Sequence, residues 1–200
     1  MPSALIEVPV EKAASPKRKR WTRAECDSLD ALGLLNEQHL ELVEGELIDK
    51  MGKNRPHVNA LVLIQGWLIQ VFGIRLVNPE APIDVSPEDS PSSAPEPDLI
   101  VLKRDISYFR SANPGPQDLY LVVEIADTTL YFDLATKAAL YARAGIEDYW
   151  VLDVSGRRLI VHRQPQAGKY TSVLIYNEQE SVAPLAAPQA MFKVADAFPE

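Results

Sequence analysis

Two carboxylates and a lysine stand where their presence needs a chemical reason. Asp98 enters the apolar run Pro97-Asp98-Leu99-Ile100-Val101-Leu102, and Glu124 lies inside a second one, Leu119-Tyr120-Leu121-Val122-Val123-Glu124-Ile125-Ala126-Asp127. A carboxylate set among β-branched residues is costly to bury unless it is paired or holds a cation. The interval between the two leaves room for one strand, a loop and the start of the next strand, so neighbouring strands could bring both to one edge of a sheet. Oxygens from such a pair, completed by water and a phosphate, suit magnesium or manganese. An ion there would lower the pKa of a bound water and neutralise charge developing on phosphorus. Lys137 follows one helical turn after Asp133, where it could orient the attacking water or stabilise a pentavalent transition state.

Each residue also has a plainer reading. Asp98 could be a turn residue after Pro97, Glu124 the partner of an arginine, and Lys137 half of a surface i,i+4 pair with Asp133. Glu44 falls at an expected hairpin turn beside Gly45, as a solvent-facing carboxylate or a further ligand. Spacing alone leaves both sets of readings open.

Other chemistries are absent from the sequence. Cys26 is the only cysteine, which excludes an intramolecular disulfide and a cysteine zinc site and points to a reducing, cytoplasmic setting. His39 and His162 have no companions at zinc-ligand spacing, and His57 reads as an ordinary first-turn helix residue. Gly52-Lys53 and Gly168-Lys169 lack the rest of a phosphate-binding loop, and there is no G-x-S-x-G elbow or glycine-rich dinucleotide turn. The formal net charge of -8 argues against a coat protein for nucleic acid, but not against a nuclease whose carboxylates await metal. The N-terminus lacks the apolar core of a signal peptide, and no apolar run is long enough to span a membrane.

The elements that must position these residues follow from periodicity. Residues 1–20 read as a disordered tail ending in Lys17-Arg18-Lys19-Arg20, and residues 21–200 as a single domain. Thr22 and Glu25 form a capping box for a helix from Arg23 to about Leu32. Leu40 to Met51 is expected as a hairpin turning at Glu44-Gly45. Pro56 opens a helix whose apolar residues Ala60, Leu61, Leu63, Ile64, Trp67, Leu68 and Val71 follow a helical period. Short strands are expected at Ile74–Asn78 and Ile83–Val85, and a mobile flap at Ser86–Pro97. Strands at Leu99–Lys103 and Leu119–Ile125 precede a helix over Asp133–Ala144, which Gly145 ends. Three more strands follow at Tyr149–Val154, Arg158–Arg163 and Tyr170–Tyr176, then a last helical turn at Lys193–Ala197. This order implies an α/β protein with helices around a mixed sheet. The strands after Trp150 could also serve as the interface of a homodimer.

With these residues in view, the chain resembles the Uma-two family of restriction-endonuclease-like proteins, within the PD-(D/E)XK nuclease superfamily. The resemblance rests on an ordered set. It comprises Glu41-Leu42-Val43-Glu44-Gly45-Glu46-Leu47-Ile48, Pro56-His57, Glu96-Pro97-Asp98-Leu99-Ile100-Val101 and Val122-Val123-Glu124-Ile125-Ala126-Asp127-Thr128-Thr129-Leu130. It ends with Asp133, Lys137, Tyr141 and Ala144-Gly145-Ile146-Glu147-Asp148-Tyr149-Trp150. It implies a restriction-endonuclease-like fold and a divalent-metal site, Mg²⁺ or Mn²⁺, that hydrolyses DNA phosphodiesters. Glu44, Asp98 and Glu124 would hold the metal, with Asp98, Glu124 and Lys137 catalytic. The superfamily motif places a lysine two residues after its second acidic residue. Here that position is Ala126, and the resemblance gives the lysine's part to Lys137. The alternative it implies is an inactive nuclease fold that binds nucleic acid or a protein partner.

Overall fold

The most apolar stretch of the sequence lies at the middle of the sheet. A computed structural model describes residues 17–35, 39–50 and 54–199. In chain order these form α1 (Arg23–Ala31), β1 (Leu40–Val43), β2 (Glu46–Asp49), α2 (Arg55–Phe72), β3 (Val77–Pro79), β4 (Leu99–Leu102) and β5 (Leu119–Ala126). A helical segment follows, made of α3 (Leu130–Phe132), a π-helical turn (Asp133–Lys137) and α4 (Ala138–Arg143). The chain then adds β6 (Asp148–Asp153), β7 (Arg158–Gln166), β8 (Lys169–Asn177), β9 (Ser181–Val182) and β10 (Phe192–Lys193). Six strands make one sheet in the order β3-β4-β5-β6-β7-β8. Only β5 and β6 run parallel, and the crossover between them is the helical segment carrying Lys137.

Alternation along the strands builds two cores, one on each face. Leu121, Val123 and Ile125 of β5 pack with Ala60, Leu61, Ile64 and Leu68 of α2, joined by Trp150 and Phe192. Val122 and Ala126 face the other way, against Leu140 and Tyr141 of α4 and Tyr149 of β6. Glu124 has the same parity as Val122 and Ala126, so its side chain enters this second face. β5 is covered on both sides, which explains why it reads as apolar almost throughout.

The expected ends hold for several elements. Thr22 caps α1 with the capping box in place, and Pro56 sits in the first turn of α2 behind the N-cap Asn54. Glu44 and Gly45 both have positive φ, 49° and 77°, as a type I′ hairpin turn requires. The end of the expected hairpin at Met51 and the tail residues 1–16 lie outside the described residues. Residues 17–20 run beside the hairpin: the Trp21 N–H donates to the Gly45 carbonyl at 2.8 Å, and Arg20 donates to the Glu44 carbonyl at 2.8 Å.

Three elements differ from expectation. The strand expected at Ile74–Asn78 begins only at Val77, with residues 74–76 in a turn. Ile83–Val85 is not a strand. Ile83 and Val85 are buried in the second core, and the Ile83 N–H bonds the Pro95 carbonyl in a loop. The proline-rich segment 86–97 is tied down rather than a free flap. Ala94 bridges Leu42, Ser93 is fully buried with its hydroxyl accepting from the Glu44 N–H, and Arg143 bonds Asp89. Among the described residues no helix is long and apolar enough to cross a membrane.

Candidate active site

Strand register brings the two predicted carboxylates together. Leu99 of β4 pairs with Val123 of antiparallel β5, so Asp98, one step earlier, stands opposite Glu124, one step later. Asp98 Oδ2 accepts the Ile125 N–H at 2.8 Å, which locks its side chain onto the end of β5. Both carboxylates line a cleft of about 300 Å³ together with Glu41, His57, Asp133 and Lys137. The sequence reading of Asp98, Glu124 and Lys137 as neighbours thus corresponds to a single cleft.

Lys137 is buried, with only 3% of its surface exposed, and is not a surface residue. Asp133, Lys137 and Tyr141 follow one another at four-residue steps, which stacks them on one face of the helical segment. Their shared target is the second face of β5. The Lys137 ammonium and the Tyr141 hydroxyl both donate to Glu124 Oε1, each at 2.9 Å. Lys137 Nζ also lies 2.9 Å from Glu41 Oε1 and 4.0 Å from Asp133 Oδ1. The π turn carries both Asp133 and Lys137; such turns recur at functional sites. Ala126 shares the face of Glu124 and is fully buried. Its methyl group leaves the ammonium position to a lysine arriving from the helix.

Glu44 is elsewhere. It occupies the tip of the hairpin, where its Oε1 lies 2.6 Å from Arg143, and it does not line the cleft. The acidic residue that β1 sends into the cleft is Glu41, three positions earlier, with its other oxygen accepting the Glu96 N–H at 3.0 Å. Sequence reasoning missed Glu41, although the signal that picked out Glu124 was present. Leu40-Glu41-Leu42-Val43 is also a carboxylate inside an apolar strand.

The electrostatics follow from three carboxyl groups within 4.0 Å of one ammonium. Burial, opposed by Lys137 and reinforced by Asp133, Asp98 and Glu41, pushes the Glu124 carboxyl up to about 8. Burial likewise raises Asp133 to about 6, against the pull of Lys137 and of the Thr129 hydroxyl bonded to it at 2.6 Å. Burial works against the charge on Lys137, but Glu124, Glu41 and Asp133 outweigh it and raise its pKa above the ordinary lysine value. The carboxyl shifts come from burial and the lysine shift from the neighbouring carboxylates, so the cluster favours a charged ammonium and a proton retained among its carboxyl groups. Asp98 moves the other way. Burial would raise it, but His57, the Ile125 N–H and Lys137 together lower it. His57 Nε2 lies 3.3 Å from Asp98 Oδ1.

The donors offered by Asp98, Glu124 and Glu41 are all carboxylate oxygens, which hard divalent cations prefer. Their chemistry therefore fits such an ion. Among the described residues, no three acidic, histidine or cysteine side chains converge as they stand on a point that would hold one. The Lys137 ammonium takes the place between Glu41 and Glu124.

A family model described as "Uma2: Putative restriction endonuclease" matches residues 26–195. The fold is similar to that of an Anabaena variabilis protein whose crystal structure is described as "a putative nuclease belonging to DUF820". The TM-score is 0.59 at 16% sequence identity, over 81% of this chain and 90% of that one. No curated protein matches the chain.

Proposed function

The chain belongs to the Uma2 family, and from that membership and its acidic cleft we propose a divalent-metal-dependent endonuclease that hydrolyses DNA phosphodiester bonds. The observation that carries the proposal is the meeting of Asp98, Glu124 and Lys137 in one cleft. Asp98 and Glu124 would hold Mg²⁺ or Mn²⁺, and Glu41 takes the third place that the sequence suggested for Glu44. A bound divalent ion supplies charge neutralisation at the phosphate and activation of water.

The protein's own groups have separable tasks in this proposal. The Tyr141 hydroxyl and the Ile125 N–H fix the Glu124 and Asp98 carboxylates before substrate arrives. For Glu41 to hold the ion, Lys137 would give up its 2.9 Å contact with that carboxylate. Its ammonium then serves to orient the water or to stabilise negative charge growing on the phosphate oxygens. Phe132 and Ile48 give the cleft apolar walls that limit bulk water. The lone Cys26 supports a reducing, cytoplasmic setting.

The test is incubation of the purified protein with circular plasmid, with Mg²⁺, Mn²⁺ or chelator. Cleavage is expected only with metal, and Asp98→Ala should abolish it. No cleavage by the wild type under any metal would overturn the proposal, as would equal cleavage by Asp98→Ala. A second reading has one observation in its favour, the Lys137 ammonium seated between two of the carboxylates. In that reading the lysine is a permanent counter-ion, and the fold binds nucleic acid or a protein without cutting.

A further inference from the structure

The two edges of the main sheet are unlike. The β3 edge has three residues and ends in Pro79, a short edge that resists pairing with another chain. The β8 edge has nine residues, Lys169–Asn177, and contains no proline. Its one irregularity lies on the inner neighbour: Gln164 of β7 has a positive φ of 57°, while the antiparallel register between β7 and β8 is the same on both sides of it. From Tyr170 to Tyr176 there is no charged residue. Val173, Leu174 and Ile175 are 48%, 52% and 58% exposed, and by alternation they stand on both faces of the strand. Among the described residues the only strand paired to β8 is β7.

A long, uncharged, apolar edge of this kind is what charged residues, prolines or bulges guard against. We propose that β8 is the homodimer interface, pairing antiparallel with β8 of a second copy across a two-fold axis, so that the two sheets continue as one. The strand is suited to itself. Its one charge, Lys169, lies at one end, and Glu178 and Glu180 follow directly beyond the other. An antiparallel two-fold brings the basic end of each strand to the acidic end of the other, whereas parallel pairing would set like charges side by side. The neutral centre places Val173 and its neighbours against the same residues of the other copy, where β-branched cross-strand pairs are favourable. The apolar surface does not stop at the edge. On the face of Val173 and Ile175 it continues into a groove of about 480 Å³ against Leu134 and Ala138, which the second copy would partly cover.

The test is sedimentation of the full chain over a wide concentration range. The wild type is expected to reach twice its mass of 22.2 kDa. Val173→Lys and Ile175→Lys each place a charge on both sides of the two-fold. They should raise the dimer dissociation constant by about tenfold or more, with thermal unfolding of the variant confirming the fold. Tyr131→Lys, at an 85% exposed position on α3, should leave the dimer unchanged. A wild type that stays monomeric at every concentration would overturn the proposal. So would folded Val173→Lys and Ile175→Lys variants that dimerise like the wild type, or a loss in Tyr131→Lys equal to theirs.

Discussion

The Lys137 ammonium lies 2.9 Å from Glu124 Oε1, with both side chains buried. This pair joins the crossover helix to the central strand and sits where the proposed chemistry occurs. It is therefore a structural ion pair and a candidate catalytic pair at once, and its two roles can be measured separately.

Removing the ammonium should destabilise the metal-free protein. Lys137→Met leaves Glu124 and Glu41 buried without their cation, and breaking a buried pair in this way costs about 3–5 kcal/mol. Urea unfolding in the presence of chelator measures the loss. It should shrink at lower pH, where the orphaned carboxyls take up protons. A loss below about 1 kcal/mol near pH 8 would show that the pair contributes no more than a surface one.

The pH dependence of the wild type has a definite sign. Glu124 and Asp133 have folded pKa values raised to about 8 and about 6, from ordinary values of 4.5 and 3.8. Between the ordinary and raised values the folded protein binds more protons than the unfolded chain, so stability falls as pH rises. The metal-free protein should thus lose stability from about pH 5 to pH 8. Glu124→Gln should flatten the upper part of that fall. An identical slope in the variant would place the titrating group elsewhere.

Glu41 and Glu44 should separate cleanly. Glu44 pairs with Arg143 at the hairpin tip, whereas Glu41 contacts Lys137 within the cleft. Plasmid cleavage should survive Glu44→Ala and fall by about tenfold or more in Glu41→Gln. The reverse pattern would restore Glu44 to the metal site.

Asp148 supplies a control for purely structural damage. It is fully buried, accepting from Trp150 Nε1 at 2.9 Å, Arg163 Nε at 2.8 Å and the Leu185 N–H at 2.8 Å. Asp148→Ala leaves those donors unpaired and should cost about 3–5 kcal/mol in chemical denaturation. Metal affinity measured well below its unfolding midpoint should be unchanged. A matching loss of affinity would mean that the cleft responds to general loosening of the sheet.

Much of this arrangement was legible in the sequence, for reasons that particular residues make plain. Asp98 and Glu124 could be picked out because each interrupts an apolar strand, and strand alternation fixes the face that such an interruption enters. The four-residue steps of Asp133, Lys137 and Tyr141 could be read as one helix face. Which way that face pointed could not, since an exposed i,i+4 pair and a buried ammonium have the same spacing. Glu41 and Glu44 lie three positions apart around a turn, and only the register of the hairpin decides which enters the cleft. The segment 86–97 looked free because its composition has no period. Its order comes from partners far along the chain, Leu42, Glu44 and Arg143, which local sequence does not display.

The central claim is that the acidic cleft takes up a divalent cation. Titration calorimetry of Mn²⁺ into the wild type and into Glu124→Gln at pH 8 tests it most directly. The account predicts saturable binding by the wild type and an affinity at least about tenfold weaker in the variant, as Lys137 and the remaining carboxylates close on each other. No binding by the wild type, or equal binding by both proteins, would contradict it and leave Lys137 as the resident cation of an inactive fold.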